Sequence, residues 1–450
     1  MNKYIATLLL GTMAWASTSC TDDFEEINTD PNRIDQISPG TLLNPTIYGL
    51  SSFGTDRADG WTFQVMQVAL PFPSANGGVH RYDISEGAGN STWSTYYRWL
   101  INIKEMETSA VENSDVNYEA IALTLRAYSL SQLTDSFGDI PMTEASRAED
   151  GIFQPVFDTQ EEVYSKIFQD LERANSLYDD TKAMIYGDDI LFHNDVKKWR
   201  KFTNSLHLRL LLRVSGRAEM NSFAKMASMI NNPEQYPVFQ NTSESAILQI
   251  TGVTPNLSPW GRAIDFTTFR AISEFFADNL NDLEDPRRAK FMTQARDMDG
   301  TNAIGYKGIP SGFDGNENQF QFIPSNHNRM LVEAPMISLL LTYAEVEFIK
   351  AELAQRGVIE SEAAMHYENG VKAAMEQWGV VITDGYQQWF EYRRTGFPIL
   401  PKNEGMLNNQ QAPVRFRYPV SVQINNPDNY SAAVARMGAD DINTKVWWEK

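Results

Sequence analysis

The sequence predicts an all-α fold, in which degenerate tetratricopeptide-like helical pairs carry one large, irregular, loop-rich insert. Apolar residues recur with the 3.6-residue period of a helix between about residues 91 and 230, and again between about 336 and 380. Residues from about 231 to 335 lack this period and are rich in Pro, Gly, Asn and Asp. Successive helical pairs favour a tetratricopeptide-like stack, and the absence of a strict repeat makes the pairs degenerate.

The first residues have the features of a secretory signal. Lys3 precedes a short apolar run, and small residues then lead to Cys20, the only cysteine of the chain. The run is much shorter than the roughly 20 residues that span a membrane. We expect residues 1–19 to be a lipoprotein signal peptide and Cys20 to carry the lipid. The alternative is an ordinary signal peptide that is cut nearby.

Residues 20–32 are acidic and polar and end at Pro31-Asn32, which predicts a solvated tether. The remaining chain, 33–450, is expected to form a single domain. Its first part, from Leu42 to Asn90, is aromatic and contains prolines and glycines that argue against a long helix.

Four helices are predicted in the first helical region. The third of them has a clear start, because Asp158 or Thr159 can cap it and Glu161 and Glu162 follow in its first turn. The four helices are expected at Ser91 to Ser109, Tyr118 to Leu133, Gln160 to Tyr178 and Lys198 to Val214.

The second half of the chain is expected to be less regular. Two helices are predicted inside the insert, at Phe269 to Leu280 and Arg287 to Met298, and helical order returns at Met336 to Gly357 and Ser361 to Trp378. The C-terminal segment is rich in Pro and Asn and predicts only short helices. Little β structure is expected.

Composition excludes several classes of function. The chain has 58 acidic and 38 basic residues and a net charge of −20, which argues against a nucleic-acid partner and against adsorption to anionic lipid. A single cysteine excludes a disulfide within the chain. The 10 Trp, 18 Tyr and 24 Phe exceed what a helical core normally uses, and aromatic faces suit the apolar faces of sugars.

Motifs for cofactors, metals and catalysis are absent. The sequence contains no phosphate-binding Gly-Lys-Ser/Thr loop, no dinucleotide fingerprint and no nucleophile elbow, and its five histidines are scattered. Glu345 and Glu352 lie on one helix face about 10 Å apart along the axis, and pairing with Arg209 or Arg213 is their expected role. We therefore expect a binding protein without cofactor or metal rather than an enzyme.

A series of short motifs is spread over nearly all of the chain: Leu125-Arg126-Ala127-Tyr128, Leu133 to Pro141, Trp199 to Leu206, Asp285-Pro286-Arg287, Tyr306 to Gly312, Tyr343-Ala344-Glu345, Arg393 to Pro398, Arg417-Tyr418-Pro419 and Trp447-Trp448. Together these motifs resemble those of the SusD/RagB family of outer-membrane nutrient-binding lipoproteins, in its SusD-like branch. The resemblance implies four degenerate tetratricopeptide-like pairs beside an irregular ligand-binding region. It also implies oligosaccharide ligands, or peptides in some members, and a SusC-like TonB-dependent barrel as partner. The implied location is the extracellular face of the outer membrane, through a lipid anchor.

The resemblance transfers no ligand-binding residue, so the candidates are chosen on physical grounds. Sugar sites combine aromatic platforms with amide and carboxylate groups on loops that a rigid frame holds. Trp260, flanked by Pro259 and Gly261, is the leading candidate, although core packing is the alternative for every aromatic. The others are Phe72, Asn76, Tyr82 and Trp93 in the first loop region, and Asn256, Phe266, Phe313 and Phe320 in the insert.

Three other functions remain open from sequence. A peptide-binding lid of the same architecture would use the acidic charge to attract basic peptides. A secreted glycoside hydrolase would need two carboxyl groups brought together from distant parts of the chain. A structural adaptor would use the helical grooves to bind a protein.

Overall fold

The computed structural model describes residues 37–75, 78–376 and 385–450, and the account below concerns these residues. Ser38–Lys450 form one compact unit. Cys20 and Asn76, two of the predicted functional residues, lie outside the described residues. The helices are α1 Pro39–Arg57, α2 Asn90–Glu112, α3 Val116–Phe137, α4 Gln160–Leu177, α5 Val196–Arg213, α6 Ser222–Asn231, α7 Ala263–Thr267, α8 Glu274–Asp282, α9 Arg288–Phe291, α10 Tyr343–Gln355, α11 Ala363–Glu376, α12 Gln387–Thr395, α13 Val420–Asn425 and α14 Pro427–Met437.

The helices pack as consecutive pairs, which confirms the all-α prediction. Helix α3 packs on α2 and α4, α4 packs on α5, and α10 packs on α11. Helix α3 lies at the centre, because all of its residues except Val116 and Arg126 are buried. Helix α4 begins as predicted: the Thr159 side chain accepts from the backbone N–H of Glu162, and the Glu162 carboxylate accepts from the N–H of Thr159.

Helix α1 was not predicted, and the expectation that no long helix occurs after Leu42 is wrong. Its 19 residues include Pro45 and several small polar residues, so the sequence shows no clear apolar stripe. Pro45 lies inside the helix, where it has no N–H to donate to the carbonyl four residues earlier. The chain continues through a π-helical turn, Ala58–Thr62, in which Trp61 is buried.

Two small antiparallel sheets connect the insert to the helices. Strand β1, Ala69–Pro71, pairs with β3, Arg270–Ile272, and β2, Ala246–Ile250, pairs with β4, Met336–Leu341. Strand β4 also packs on α1 and α5. These pairs fix both ends of the insert on the scaffold.

Three predicted helices are shorter than expected, two of them because strands replace their first residues. The apolar run at Met336–Leu341 is a strand, and helix α10 begins only at Tyr343, where Thr342 caps it. Short apolar runs do not distinguish a buried strand from a buried helix. The first part of the helix predicted from Phe269 is strand β3, and the helix predicted from Arg287 reduces to α9.

Candidate functional site

A cavity of about 800 Å³ lies between α1, α2 and the insert segment 255–259. The cavity, here called the aromatic groove, is lined by three half-buried aromatic side chains, Tyr48, Phe53 and Trp99. Asp56, Arg98 and Asn256 supply polar groups in the same lining. Its size falls in the range of small-molecule sites, about 300–1,000 Å³.

The Trp99 indole is held in place by Gly49 of helix α1. A Cβ atom at Gly49 would lie 1.9 Å from Cζ2 of Trp99, so only glycine allows the ring to lie this close to the α1 backbone. Nε1 of Trp99 is buried and has no hydrogen-bond partner among the described residues. The Arg98 guanidinium lies 5.5 Å from the ring centroid. The close packing on Gly49 therefore fixes the position of the indole ring.

Some polar side chains of the aromatic groove form hydrogen bonds that hold its walls together, and others form none with the described residues. Tyr48 Oη donates to the carbonyl of Leu257 at 2.7 Å, which fixes the insert segment over the helices. Asn44 donates to the carbonyl of Asp188 and accepts from the N–H of Ile190. These two side chains build the walls.

The side chains of Asp56, Arg98 and Asn256 are the free polar groups of the groove. They form no hydrogen bond or ion pair with the part of the chain that the structure describes. Burial raises the pKa of Asp56, and the neighbouring Arg57 acts in the opposite direction. A carboxylate, a guanidinium and an amide thus remain available for the hydroxyl groups of a ligand.

Replacing Gly49 by alanine tests the packing of the groove. Alanine is normally favoured over glycine in a helix, but here the added methyl would displace Trp99, so we expect a loss of about 1–3 kcal/mol in the free energy of unfolding. Gly54→Ala in the same helix is the matched control, because its Cβ would meet nothing closer than 3.8 Å. Chemical denaturation should show destabilisation for the first variant and no loss for the second; equal stabilities would contradict the assigned packing.

The predicted ligand residues fall in three places. Trp260 is half-buried, with its ring centroid 4.9 Å from that of Phe266, and the preceding Pro259 lines the aromatic groove. Phe266 is fully buried and stacks on His327 at 4.6 Å. Trp93 lines a separate cavity of about 250 Å³ and packs on Phe137, Phe157 and Tyr418.

The remaining candidates belong to a small apolar cluster or to the core. Phe72, Phe313 and Phe320 pack on each other with ring centroids 5.6–6.4 Å apart, and only 3% of Phe313 is exposed. Tyr82 is buried, which raises the pKa of its hydroxyl to about 12. These positions hold the loops in place, so the residues best placed to touch a ligand are those of the aromatic groove.

Sequence reasoning missed Tyr48, Phe53 and Trp99. A signal existed for Trp99, which lies on the stripe of helix α2 that contains the buried residues Tyr96, Ile103 and Met106. The residues of this stripe are spaced three or four positions apart, and the stripe is distinct from the one through Trp93 and Tyr97. Tyr48 and Phe53 had no comparable signal, because α1 itself was not predicted.

The two glutamates of α10 have the structural role that was expected for them. Glu345 accepts from Nε and Nη2 of Arg209 at 2.6 and 2.5 Å. Glu352 accepts from Arg394 at 2.9 and 2.8 Å rather than from Arg213. Both pairs line a cavity of about 510 Å³ between the scaffold and the insert. Each carboxylate is thus occupied by an arginine fork.

A family model described as starch-binding and associating with the outer membrane matches residues 31–384 and 381–419. The chain belongs to the SusD/RagB family. Among solved structures, a SusD homologue from Bacteroides fragilis has 22% identity and a TM-score of 0.78, covering 92% of this chain and 100% of that one. A chitin-binding SusD homologue from Flavobacterium johnsoniae has 19% identity and a TM-score of 0.77, covering 92% and 98%.

These similarities confirm the predicted family and its helical fold and support a nutrient-binding role. A further structure, described as a chitin-binding protein, has 23% identity and a TM-score of 0.77, with 92% of this chain and 100% of that chain covered. No curated protein matches this chain. None of the helices within the described residues has the length and hydrophobicity that crossing a membrane requires.

Proposed function

We propose that this SusD-like chain is a glycan-binding lipoprotein that captures oligosaccharides at the cell surface and passes them to a SusC-like TonB-dependent transporter. The aromatic groove carries the proposal, because it places the side chains of Tyr48, Phe53 and Trp99 beside unused carboxylate, guanidinium and amide groups. Sugar rings need this combination, since each presents an apolar face and a rim of hydroxyl groups. The family description as starch-binding agrees with it.

The proposed location follows from the N-terminal sequence and the family. The family is described as associating with the outer membrane. We infer that Cys20 bears the lipid and that the chain faces the exterior, where acidic residues between Thr21 and Asp30 would extend it from the membrane. The barrel partner is inferred from family membership. On the same ground we infer that the chain is a binding subunit rather than an enzyme.

Replacing Trp99 by alanine should weaken glycan binding by about 30-fold, because buried Trp side chains at binding sites commonly contribute about 2 kcal/mol or more. The measurement is calorimetric titration with the starch or chitin oligosaccharides that a glycan array selects. Trp99→Phe should retain part of the affinity. Tyr367→Ala, at an exposed aromatic outside the groove, is the control and should bind as the wild type does.

Two results would contradict this function. One is an array on which the wild-type protein binds no glycan, above all if a peptide digest binds instead, since that would favour the peptide-binding alternative. The other is a folded Trp99→Ala variant with wild-type affinity, which would move the glycan away from the groove. Circular dichroism and the thermal midpoint establish that the variant is folded.

A further inference from the structure

A polar cavity of about 290 Å³, separate from the aromatic groove, lies along helix α8 and is lined by three carboxylates of that helix. Glu274, Asp278 and Asp282 are spaced four residues apart, so they lie on one face of the helix. Ser311 and Asn403, from two other segments of the chain, also line it, and Phe275 contributes an aromatic ring. These six residues are called the acidic cleft.

The carboxylates of the acidic cleft have no cationic partner in contact. None of the three forms an ion pair or a side-chain hydrogen bond with the described part of the chain. Asp282 ends helix α8, where the helix dipole disfavours a negative charge. The pKa of Asp278 is raised by burial and then by the charge of Asp282, while Lys307 acts in the opposite direction. The three carboxylates are exposed to solvent and are therefore accessible to a cation.

Ser311 gives an independent indication of a ligand. Its side chain is only 4% exposed, and its Oγ is buried without a hydrogen-bond partner among the described residues. Leaving a buried hydroxyl unpaired is unfavourable unless a ligand completes it. The Asn403 side chain also makes no hydrogen bond within the described chain. Two neutral polar groups thus accompany the three charges.

We propose that the acidic cleft binds the protonated amine of an amino sugar. Asp278 and Asp282 would hold the ammonium group, Ser311 and Asn403 would bond to ring hydroxyls, and Phe275 would cover the apolar face of the ring. A metal ion does not fit, because no three acidic or histidine side chains among the described residues are close enough to hold one. A lysine side chain would satisfy the charge but leave the neutral groups unused.

The amino-sugar site is distinct from the aromatic groove and goes beyond the glycan binding proposed there. The probes are the disaccharide of glucosamine, its di-N-acetylated form and Nα-acetyl-lysine amide, which keeps its side-chain ammonium group. Each is titrated into the folded chain by calorimetry. We expect the free amine to bind, and Asp278→Asn/Asp282→Asn to weaken it at least tenfold. Ser311→Ala should weaken it several-fold. The matched control, Glu360→Gln/Glu362→Gln, removes two exposed charges elsewhere and should bind as the wild type does.

Several outcomes would overturn the amino-sugar assignment. Measured in the Trp99→Ala variant, where the aromatic groove contributes little, they are no binding of the glucosamine disaccharide, equal binding of its N-acetylated form, equal binding of the lysine derivative, or unchanged affinity when Asp278→Asn/Asp282→Asn is added. Trp99→Ala separates the two sites, because it should weaken neutral-glycan binding by about 30-fold and leave amine binding intact. Failure of the amino-sugar site would consequently not count against the aromatic groove.

Discussion

Replacing Asp135 by alanine is expected to lower the free energy of unfolding by about 3–5 kcal/mol, because it would leave a buried arginine without its partner. Only 1% of the Asp135 side chain is exposed. Its carboxylate accepts hydrogen bonds from Arg213 at 2.6 Å, from Tyr164 at 2.7 Å and from the indole of Trp448 at 2.8 Å. One carboxylate thus connects α3 with α4, α5 and the C-terminus.

The expected loss of stability comes from leaving Arg213 buried without its partner. It is not a measure of how much the intact ion pair contributes to the free energy of unfolding. Burial raises the pKa of Asp135 although Arg213 lies beside it, so the charged carboxylate is held at a cost. Without it, Arg213 keeps Gln387 at 2.6 Å and the more distant Glu391 at 3.3 Å. A buried guanidinium with that incomplete set of acceptors is unfavourable.

Urea denaturation of the wild type and the Asp135→Ala variant measures the effect. Asp150→Ala is the matched control, since the ion pair of Asp150 with Arg147 is exposed and its removal should leave the midpoint unchanged. Asp135→Asn should fall between the wild type and the alanine variant, because it keeps the shape but loses the charge. A loss below about 1 kcal/mol for Asp135→Ala would contradict the role assigned to this carboxylate.

The helical scaffold was predictable because its signals are local. Helices α2 to α5 begin and end within a few residues of the predicted bounds, since apolar periodicity and the Thr159–Glu162 cap lie within each segment. Helix α1 was missed because its buried face consists partly of Thr46, Ser51, Gly54 and Thr55, which carry no apolar pattern. Strand β4 was read as helix because its burial depends on β2, about ninety residues earlier in the chain.

The candidate site was less predictable because it depends on distant contacts. The aromatic groove brings together Tyr48, Trp99 and Asn256, and no local pattern states that these three positions meet. Gly49 illustrates the difficulty: its function is to let Trp99 approach α1, which is visible only in three dimensions. Phe266 and Phe313 show the converse: both come from the loop-rich insert, but Phe266 packs in the main core and Phe313 in a small separate cluster.

Acidification is expected to destabilise the protein through two buried histidines. His207 and His327 are fully shielded from solvent, and burial lowers their pKa values to about 3 and about 4. Lys225 adds to the effect at His207. Glu172 lies 3.6 Å from Nδ1 of His207, but the same carboxylate oxygen lies 2.5 Å from Lys225, so burial dominates. At His327, Asp59 and Arg270 act in opposite directions.

The sign follows from the lowered pKa values. Both imidazoles are neutral in the folded chain, whereas in the unfolded chain they take up a proton below about pH 6.5. Their full contribution to stability is present above that pH and is lost progressively as the pH falls toward the folded-state values. Between pH 6.5 and 5 each imidazole should reduce the free energy of unfolding by about 2 kcal/mol.

Phenylalanine at both positions should remove this part of the pH dependence. His207 stacks on Phe168 at 5.3 Å and His327 on Phe266 at 4.6 Å, so an aromatic ring preserves each stack. It also removes a buried ring nitrogen that has no hydrogen-bond partner among the described residues. Urea denaturation at pH 7, 6 and 5 measures the slope in the wild type, in the double variant and in His193→Gln, an exposed control. Buried carboxylates with raised pKa values, Asp135 and Asp440 among them, contribute with the opposite sign, but they contribute equally to all three proteins and cancel in the comparison. A double variant that loses stability with pH as steeply as the wild type would show that the two imidazoles are not the groups responsible.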